Sequence, residues 1–375
     1  MLSHLRQFTS LASTMKLDSA VVKLLALDPH NTSVSSHGGA GMSSASTMKI
    51  TTTAEDGSKK QFFMKTGKGA EAELMFTGTV IVPNTFLAMP KSRSYHILTP
   101  HPGEHASLNA LHNAVPSLCP ASFGHGALSD TPSSHYLVTE FMDLSPRSGG
   151  GGSKSGSSLA QKLAKLHTTP APTPRGHERP MFGFPATTCC GDTPQDNSYE
   201  SSWAKFYAEH RLRFILARSE KSNGSDKELA ALVNRTADEV VPRLIGDEHL
   251  NGGKGVMPVV IHGDLWSGNA GRGRLPSMKE GESEDVVFDP SAVYAHNEFE
   301  LGIMKMVGFK STTGWGYVAD VNSSVALAVA FWMSITAFVL GRNRRVSIVI
   351  RLRCMSSTTI STITRCSVVG IEVAR

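Results

Sequence analysis

Short apolar runs that end abruptly at polar residues mark the second half of this chain. Val259–Ile261 and, further along, Val286–Phe288 are unbroken apolar runs, and a polar segment follows each. Such runs predict buried β-strands rather than half-exposed ones, which alternate. The polar residues 271–285 between them predict a hairpin-like connection. We therefore expect two neighbouring buried strands, each of which delivers polar side chains at its end.

The first part of the chain predicts further strands. Thr47–Thr53, Gln61–Met64 and Tyr136–Met142 are rich in β-branched and aromatic residues. Between them, Glu104–Val115 places three apolar residues at spacings of three and four, which predicts an amphipathic helix. We expect residues 15–145 to form a small β-rich lobe.

Helical periodicity dominates residues 146–308. A leucine stripe begins at Leu159, and two longer helices are expected near 201–217 and 226–244. A β-rich lobe followed by a larger, mostly helical lobe belongs to the α+β class. The residues expected to face inward are Trp203, Phe206, Tyr207, Leu212, Ile215 and Leu216 in the first long helix, and Leu229, Leu232, Val233, Val240 and Val241 in the second.

The net charge of +5 arises entirely in the last part of the chain. The chain has 37 Lys and Arg residues and 32 Asp and Glu residues. Residues 309–375 hold eight of the basic residues and only two of the acidic ones. The rest of the chain therefore has no basic surplus, which argues against nucleic acid as a partner. The five cysteines follow no regular framework, which favours a reduced, cytoplasmic setting.

The candidate chemistry lies at the ends of the two buried strands. His262-Gly263-Asp264 follows the first strand, Asn269 comes five residues after the aspartate, and Asp289 follows the second strand. Phosphoryl transfer uses one carboxylate to take the proton of an attacking hydroxyl, and an Asn with a second Asp to hold magnesium. A turn-capping role for Asp264 is the alternative, and the joint pattern favours the catalytic one.

The small lobe contains matching candidates for ATP binding. A Gly/Ser-rich stretch containing Gly38, Gly39 and Gly41 precedes a strand that ends at Lys65. A glycine-rich cover followed by a strand-borne lysine is the order expected for holding phosphates, and Glu104 could pair with that lysine.

The strand Tyr136–Met142 is suited to a hinge between the lobes. We expect the backbone around Glu140 and Met142 to hold adenine.

Two further residues lie near Asp264, the candidate catalytic base. Trp266 could stack on a sugar or pack in the core. His262 is expected to orient its loop rather than react.

These residues stand in longer motifs that resemble the fructosamine kinases, also called ketosamine-3-kinases, with a likeness to fungal members. The resemblance covers residues 16–308. It implies a two-lobed fold like that of protein kinases and aminoglycoside phosphotransferases. The motifs that carry it are SVSSHGGAGMSS, FFMKTG, GEHASLNALHNAVPSLCP, KLAKLHTTPAP, MFGFPATTCCGDTPQDNSYESSWAKFYAEHRLR, VVIHGDLWSGN and VVFDPSAVYAHNEFELGIMKM.

The resemblance also implies a reaction and its participants. Asp264 matches the catalytic base, Asn269 and Asp289 the metal-binding pair, and Lys65 with Glu104 the phosphate-binding pair. The implied substrate is a ketosamine on a small amine or a protein, phosphorylated by ATP with Mg²⁺ on the third-carbon hydroxyl of the sugar, which leads to deglycation. Asn197, Trp266 and His262 are candidate substrate contacts in the same motifs.

Two segments depart from the family pattern. Residues 77–102 sit where the family passes almost directly from one motif to the next; a surface loop is possible there, but these residues resemble a retained intron more closely. Residues 309–375 lack the pattern of the family's last helices. When residues 353–374 are back-translated with allowed codons and translated in another reading frame, a family-like pattern appears. We expect this tail to be intron-derived and out of frame, and residues 1–14 to be an N-terminal tail.

Three alternatives remain open. A related phosphotransferase for aminoglycosides or choline would use the same loop. An inactive gene-model product would follow from the aberrant tail. A membrane-tethered protein would follow from the uncharged segment Val321–Gly341. We expect no membrane association, because a frameshift produces such a segment by accident. The sequence does not determine an oligomeric state.

Overall fold

A computed structural model gives the fold of most of the two predicted lobes. It describes residues 16–38, 45–77, 103–144, 157–191, 193–306, 347–354 and 366–374. Most of the predicted insert, residues 78–102, lies outside the described residues, and so does Val321–Gly341. Within the described ranges, no helix is long and apolar enough to cross a bilayer.

The small lobe is an antiparallel five-stranded sheet with helices packed on it. Its elements are α1 (Ser19–Leu25), β1 (Thr32–Ser36), β2 (Ser46–Thr53), β3 (Lys59–Lys68), α2 (Gly69–Thr77), α3 (Gly103–Ala114), β4 (Ser122–Ala127), β5 (Ser134–Glu140) and β6 (Asp143–Leu144). The strand order in the sheet is β1-β2-β3-β5-β4.

The alternation of side chains along β3 sets the direction in which Lys65 points. Phe62 and Met64 are buried with Ile50 and Val138 in an apolar cluster on one face of the sheet. Because side chains alternate along a strand, Lys65 faces the other side. Lys65 pairs in register with Leu137 of β5, whose side chain belongs to the cluster formed with α3. The sheet therefore directs Lys65 toward that helix.

The large lobe begins with α4 (Leu159–Leu166), whose N-terminus has a complete capping box. Ser158 accepts from the backbone of Gln161, and the Gln161 side chain accepts from the backbone of Ser158. The other elements of this lobe are β7 (Cys189–Cys190), β8 (Thr193–Pro194), α5 (Trp203–Tyr207), α6 (Phe214–Asn223), α7 (Lys227–Arg235), α8 (Val241–Ile245), β9 (Val259–Ile261), β10 (Ala270–Arg274), β11 (Glu284–Val287), β12 (Val293–Ala295) and α9 (Glu298–Met306). Further along the chain, β13 (Ser347–Cys354) and β14 (Cys366–Ala374) pair with each other in a separate two-stranded sheet.

The two long helices predicted for this lobe are present, and each contains a π-helical turn. Ala208–Arg213 joins α5 to α6, and Thr236–Val240 joins α7 to α8. All six residues expected to face inward from the first helix are buried. In the second helix the prediction for Leu232 is wrong: it is 39% exposed, because the buried face runs through Val233 and Ala237 and Leu232 lies to one side of it.

The predicted buried strands β9 and β11 are both confirmed. Strand β9 pairs with β12, and β11 pairs with β10 in the predicted hairpin, with β6 as a third strand. The ends of β9 and β11 lie close together, since the His262 ring contacts the backbone of Phe288. The strand predicted over Tyr136–Met142 ends at Glu140.

Candidate active site

A left-handed glycine sets the turn that follows β9. Gly263 has φ of +79°, and a Cβ at this position would come within 2.0 Å of the Ser291 carbonyl oxygen. The Ser291 amide donates to the His262 carbonyl oxygen at 2.9 Å, which holds the two segments together. Only glycine fits both the backbone angle and this close approach. The turn presents Asp264 at the end of the strand.

The Asp264 carboxylate is held at both oxygens. Asn269 Nδ2 donates to the Asp264 carbonyl oxygen at 2.9 Å and to Oδ2 at 3.1 Å, and Cys190 Sγ donates to Oδ1 at 3.7 Å. Burial raises the pKa of Asp264 to about 7; these two side-chain hydrogen bonds oppose the shift and the charge of Asp289 adds to it. Asp264 is therefore a carboxylate that can exchange a proton near neutral pH.

His262 is fully buried and both of its ring nitrogens are engaged. Nδ1 accepts from the Asp264 amide at 3.2 Å, so Nε2 carries the hydrogen that it donates to the Phe288 carbonyl oxygen at 3.0 Å. Burial lowers the pKa of His262 to about 4, which keeps the ring neutral. These contacts support the orienting role and give no support to the alternative of a substrate contact.

Lys65 forms ion pairs with carboxylates from both lobes. Its Nζ lies 2.6 Å from Glu104 Oε1 and also contacts Asp289 Oδ1. Burial opposes the charge on Lys65, but the two carboxylates outweigh it and raise its pKa. The predicted pairing of Lys65 with Glu104 is present. Its role toward ATP phosphates stays a prediction.

Asp289 and Asn269 have the chemistry required to hold magnesium. Asp289 has a left-handed backbone with φ of 57°, and its side chain is 47% exposed. Because the Asn269 amide nitrogen bonds to Asp264, its Oδ1 is the atom left for a cation. Magnesium is commonly held by one or two carboxylates together with waters and phosphates. The oxygen donors present therefore fit this ion.

The nucleotide-binding predictions are only partly within the described chain. Gly38 has φ of +71° just after β1, whereas Gly39 and Gly41 lie outside the described residues. At the hinge, the Glu140 amide donates to the Ala121 carbonyl oxygen at 2.9 Å, and Glu140 Oε2 accepts from the Ala121 amide at 3.0 Å. Adenine binding by the backbone at Glu140 and Met142 stays a prediction.

The remaining candidate substrate residues differ in their surroundings. The half-buried Trp266 ring lies over Gly268, where a Cβ would come within 2.0 Å of the indole. Asn197 is buried: Nδ2 donates to the Ala186 carbonyl oxygen at 3.0 Å and to Thr188 Oγ1 at 2.9 Å, and Oδ1 accepts from Arg211 Nη2 at 2.9 Å. These bonds occupy both polar atoms of Asn197 and give it a structural role.

Glu300 is a site residue that pattern reasoning missed. It lies in the first turn of α9, is 1% exposed, and accepts hydrogen bonds from the amides of His262 and of Gly263, the latter at 3.2 Å. Burial raises the pKa of Glu300 to about 8, and the backbone donors oppose that shift. Glu300 thus anchors the catalytic turn to α9. No local spacing signals a contact made across 37 residues.

Replacing Glu300 by Ala should destabilise the protein. The buried amides of His262 and Gly263 would lose their acceptors, at a cost of about 1–3 kcal/mol for each. Glu300→Gln, which keeps one oxygen, should lie between this variant and the wild type. Urea denaturation measures the effect. The half-buried Glu298 of the same helical turn provides a control; equal losses in Glu300→Ala and Glu298→Ala would contradict the anchoring role.

The stability contributed by Glu300 should also depend on pH. Its pKa of about 8 in the folded protein lies above the ordinary value near 4.3. The folded state therefore retains a proton that the unfolded state releases, so this contribution is complete below about pH 4 and is lost as pH rises through about 8. The same denaturation series in Glu300→Gln, repeated from pH 5 to 9, should show a weaker decline than the wild type.

Comparison with known proteins identifies the family. The model of the family described as fructosamine kinase matches residues 82–321. The chain belongs to the fructosamine kinase family. A ketosamine-3-kinase of Mus musculus is 35% identical over 128 residues, which cover 34% of this chain and 36% of that protein. A chloroplastic protein-ribulosamine 3-kinase of Oryza sativa subsp. indica is 30% identical over 212 residues, 55% of this chain and 52% of that protein.

The fold agrees with this membership. A crystal structure of a fructosamine-3-kinase homologue from Thermobifida fusca superposes with a TM-score of 0.50 at 20% identity, covering 86% of this chain and 89% of that one. The predicted α+β, two-lobed, protein-kinase-like fold is therefore confirmed. The chain spans about half, or less, of the length of the curated relatives it matches. The predicted domain boundaries, including those of the insert and the tail, stay predictions.

Proposed function

We propose that this fructosamine kinase family member is an ATP- and Mg²⁺-dependent kinase that phosphorylates the third-carbon hydroxyl of ketosamines and so initiates their deglycation. The observation that carries the proposal is the convergence of Asp264, Asn269 and Asp289 with the Lys65–Glu104 pair of the small lobe. The names of the mouse and rice relatives, a ketosamine-3-kinase and a protein-ribulosamine 3-kinase, support the substrate class.

Each residue has a defined task in the proposed reaction. Asp264 takes the proton of the sugar hydroxyl while the hydroxyl oxygen bonds to the terminal phosphorus of ATP and the bond to ADP breaks. Lys65 neutralises phosphate charge, with Glu104 fixing its position. Asn269 and Asp289 would hold magnesium, which supplies positive charge to the phosphate oxygens. The acceptor is a small-molecule or protein-bound ketosamine, with no nucleic acid involved.

The reduced, cytoplasmic setting belongs to the same proposal. Cys119 and Cys190 are free thiols in the described part of the chain. Intracellular ketosamines on amines and proteins would be accessible there.

A substrate panel tests the proposed function. The purified chain is incubated with ATP, Mg²⁺ and, separately, a fructosamine, a ribulosamine, an aminoglycoside and choline. ADP release is measured, and the phosphate ester is located by phosphorus NMR. We expect ADP formation that depends on the two ketosamines. Binding of Mg-ATP without turnover of either ketosamine would overturn the proposal, and turnover of only the aminoglycoside or choline would replace it with the related phosphotransferase.

The rate of this reaction should fall in acid. With a pKa raised to about 7, Asp264 loses its capacity to accept a proton as pH drops below that value. We expect kcat/KM to decrease about tenfold for each pH unit below the midpoint. Bound magnesium would move the midpoint downward, so the decrease should begin at or below about pH 7 and be evident by pH 5.5. A rate profile measured from pH 5.5 to 8.5, with melting temperature followed in parallel, checks this; a flat profile in a folded protein would contradict it.

A further inference from the structure

The contact between Cys190 and Asp264 joins two segments that are 74 residues apart. Cys190 lies in β7, where it pairs with Thr193 of β8 across a two-residue hairpin. Its thiol points at Asp264 Oδ1, the oxygen that Asn269 does not hold. The two oxygens of the base are thus restrained separately, Oδ2 by the catalytic loop and Oδ1 by this hairpin.

The thiol of Cys190 has the character of a hydrogen-bond donor and not of a nucleophile. Burial, followed by the negative charge of Asp264, raises its pKa, while nearby Arg211 opposes the shift only weakly. The sulfur therefore keeps its hydrogen at physiological pH. A thiolate would be needed for nucleophilic or redox chemistry. An S–H group donates weakly, so it can orient a carboxylate without strongly reducing its basicity.

A buried arginine fixes the hairpin that carries this thiol. Arg211 is 1% exposed and donates to the Asp196 carbonyl oxygen at 2.7 Å and to Asn197 Oδ1 at 2.9 Å. Asn197 in turn donates to Thr188 Oγ1, two residues before Cys190. These contacts run from the π-helical turn Ala208–Arg213 to Thr188, and the backbone of β7 carries the thiol two residues further on. The position of Cys190 is therefore set by the core of the large lobe.

We propose that Cys190 is a positioning residue for phosphoryl transfer, whose S–H group holds Asp264 Oδ1 and keeps the base in one orientation toward the sugar hydroxyl. This inference rests on the proposed kinase function. A carboxylate free to rotate would spend less time aligned with the hydroxyl, and displacement of a reacting group by about 1 Å can cost on the order of 100-fold in rate. Loss of the thiol should therefore act on the chemical step and leave ATP binding intact.

The first test is kinetic. Cys190→Ala should lower kcat by about 10- to 100-fold, with the KM for ATP within about twofold of the wild type. Cys190→Ser should recover part of the loss. Cys119→Ala is the matched control, because Cys119 is also a buried free thiol and its Sγ bonds to the Leu108 carbonyl oxygen, away from the base. Equal kcat values in Cys190→Ala and Cys119→Ala would overturn the proposal.

A double variant separates positioning from general stability. In an Asp264→Asn background, Cys190→Ala should cause no further loss of residual turnover, since residues that act as a unit are not additive. A further loss equal to that of the single variant would show that the cysteine acts independently of the base and would overturn the proposal.

A chemical test works without any turnover. Native protein is treated with iodoacetamide, and alkylation of Cys190 and Cys119 is followed by peptide mass spectrometry. Asp264→Asn removes the negative charge beside Cys190, so Cys190 should react faster in that variant while Cys119 is unchanged. An unchanged Cys190 rate would overturn the contact itself. If the rate rises but the wild type shows no ketosamine-dependent ADP release, the kinase function fails while the contact stands.

Discussion

Asp264→Asn is expected to lower kcat for ketosamine phosphorylation by about 10²- to 10⁴-fold, the usual contribution of a general base. The amide cannot accept the hydroxyl proton, and the substitution changes neither the size of the side chain nor the Asn269 contact to the Asp264 carbonyl oxygen. Mg-ATP should still bind, because Lys65 and Asp289 are untouched. Steady-state kinetics and calorimetric titration with a non-hydrolysable ATP analogue measure the two effects separately.

The control for this variant is Asp130→Asn, an exposed carboxylate in the small lobe. It should behave as the wild type in both measurements. If Asp264→Asn retained wild-type turnover, Asp264 would not be the base, and the catalytic assignment would have to move to another carboxylate. If it lost turnover and nucleotide binding together, the residue would act on ATP and not on the hydroxyl.

The parts of the site that lie close together in sequence were predicted from the sequence alone. The turn from His262 to Asp264, the five-residue step to Asn269 and the hairpin leading to Asp289 follow from apolar runs that end at polar residues. The pairing of Lys65 with Glu104 spans 39 residues and was anticipated from the order of strand, lysine and helix. In both cases, local periodicity sets where each side chain points.

The contacts that restrain the catalytic turn could not be predicted in this way. No base lies near Cys190 in sequence, yet packing places its sulfur beside Asp264. Glu300 stands in a recognisable motif, but its partners are backbone amides, which leave no mark in a sequence. Asn197 is the converse case: its motif suggests a substrate contact, which stays a prediction, while the structure engages its side chain with Arg211 and Thr188. Tertiary packing, not spacing, decides these cases.

The helices of the large lobe show the same limit at the level of packing. A 3.6-residue period places Val233 and Leu232 on adjoining faces of the helix. Both residues are apolar, so the sequence does not show that only Val233 lies in the buried stripe. The π-helical turn Thr236–Val240 then shifts the register before Val241. Val241, beyond that turn, is nevertheless buried as the sequence predicts.

Lys65→Met is expected to reduce kcat/KM for ATP by about 10²- to 10³-fold, comparable to loss of one preorganised charge-stabilising group. It should also destabilise the fold. Glu104 is 8% exposed, and removing the cation that it contacts at 2.6 Å leaves a buried carboxylate without its partner. Breaking such a pair from one side costs about 3–5 kcal/mol. Denaturation curves and ATP kinetics on the same preparation measure both effects.

The double variant Lys65→Met/Glu104→Gln separates these two effects. Neutralising Glu104 removes the uncompensated charge, so much of the stability should return, whereas ATP turnover should remain low because the phosphate-binding cation is still absent. Lys68→Met, at an exposed position of the same strand, should leave both properties unchanged. If turnover returned together with stability, Lys65 would serve the fold alone and phosphate binding would have to be assigned elsewhere. Low turnover in a restabilised protein would establish Lys65 as a functional cation.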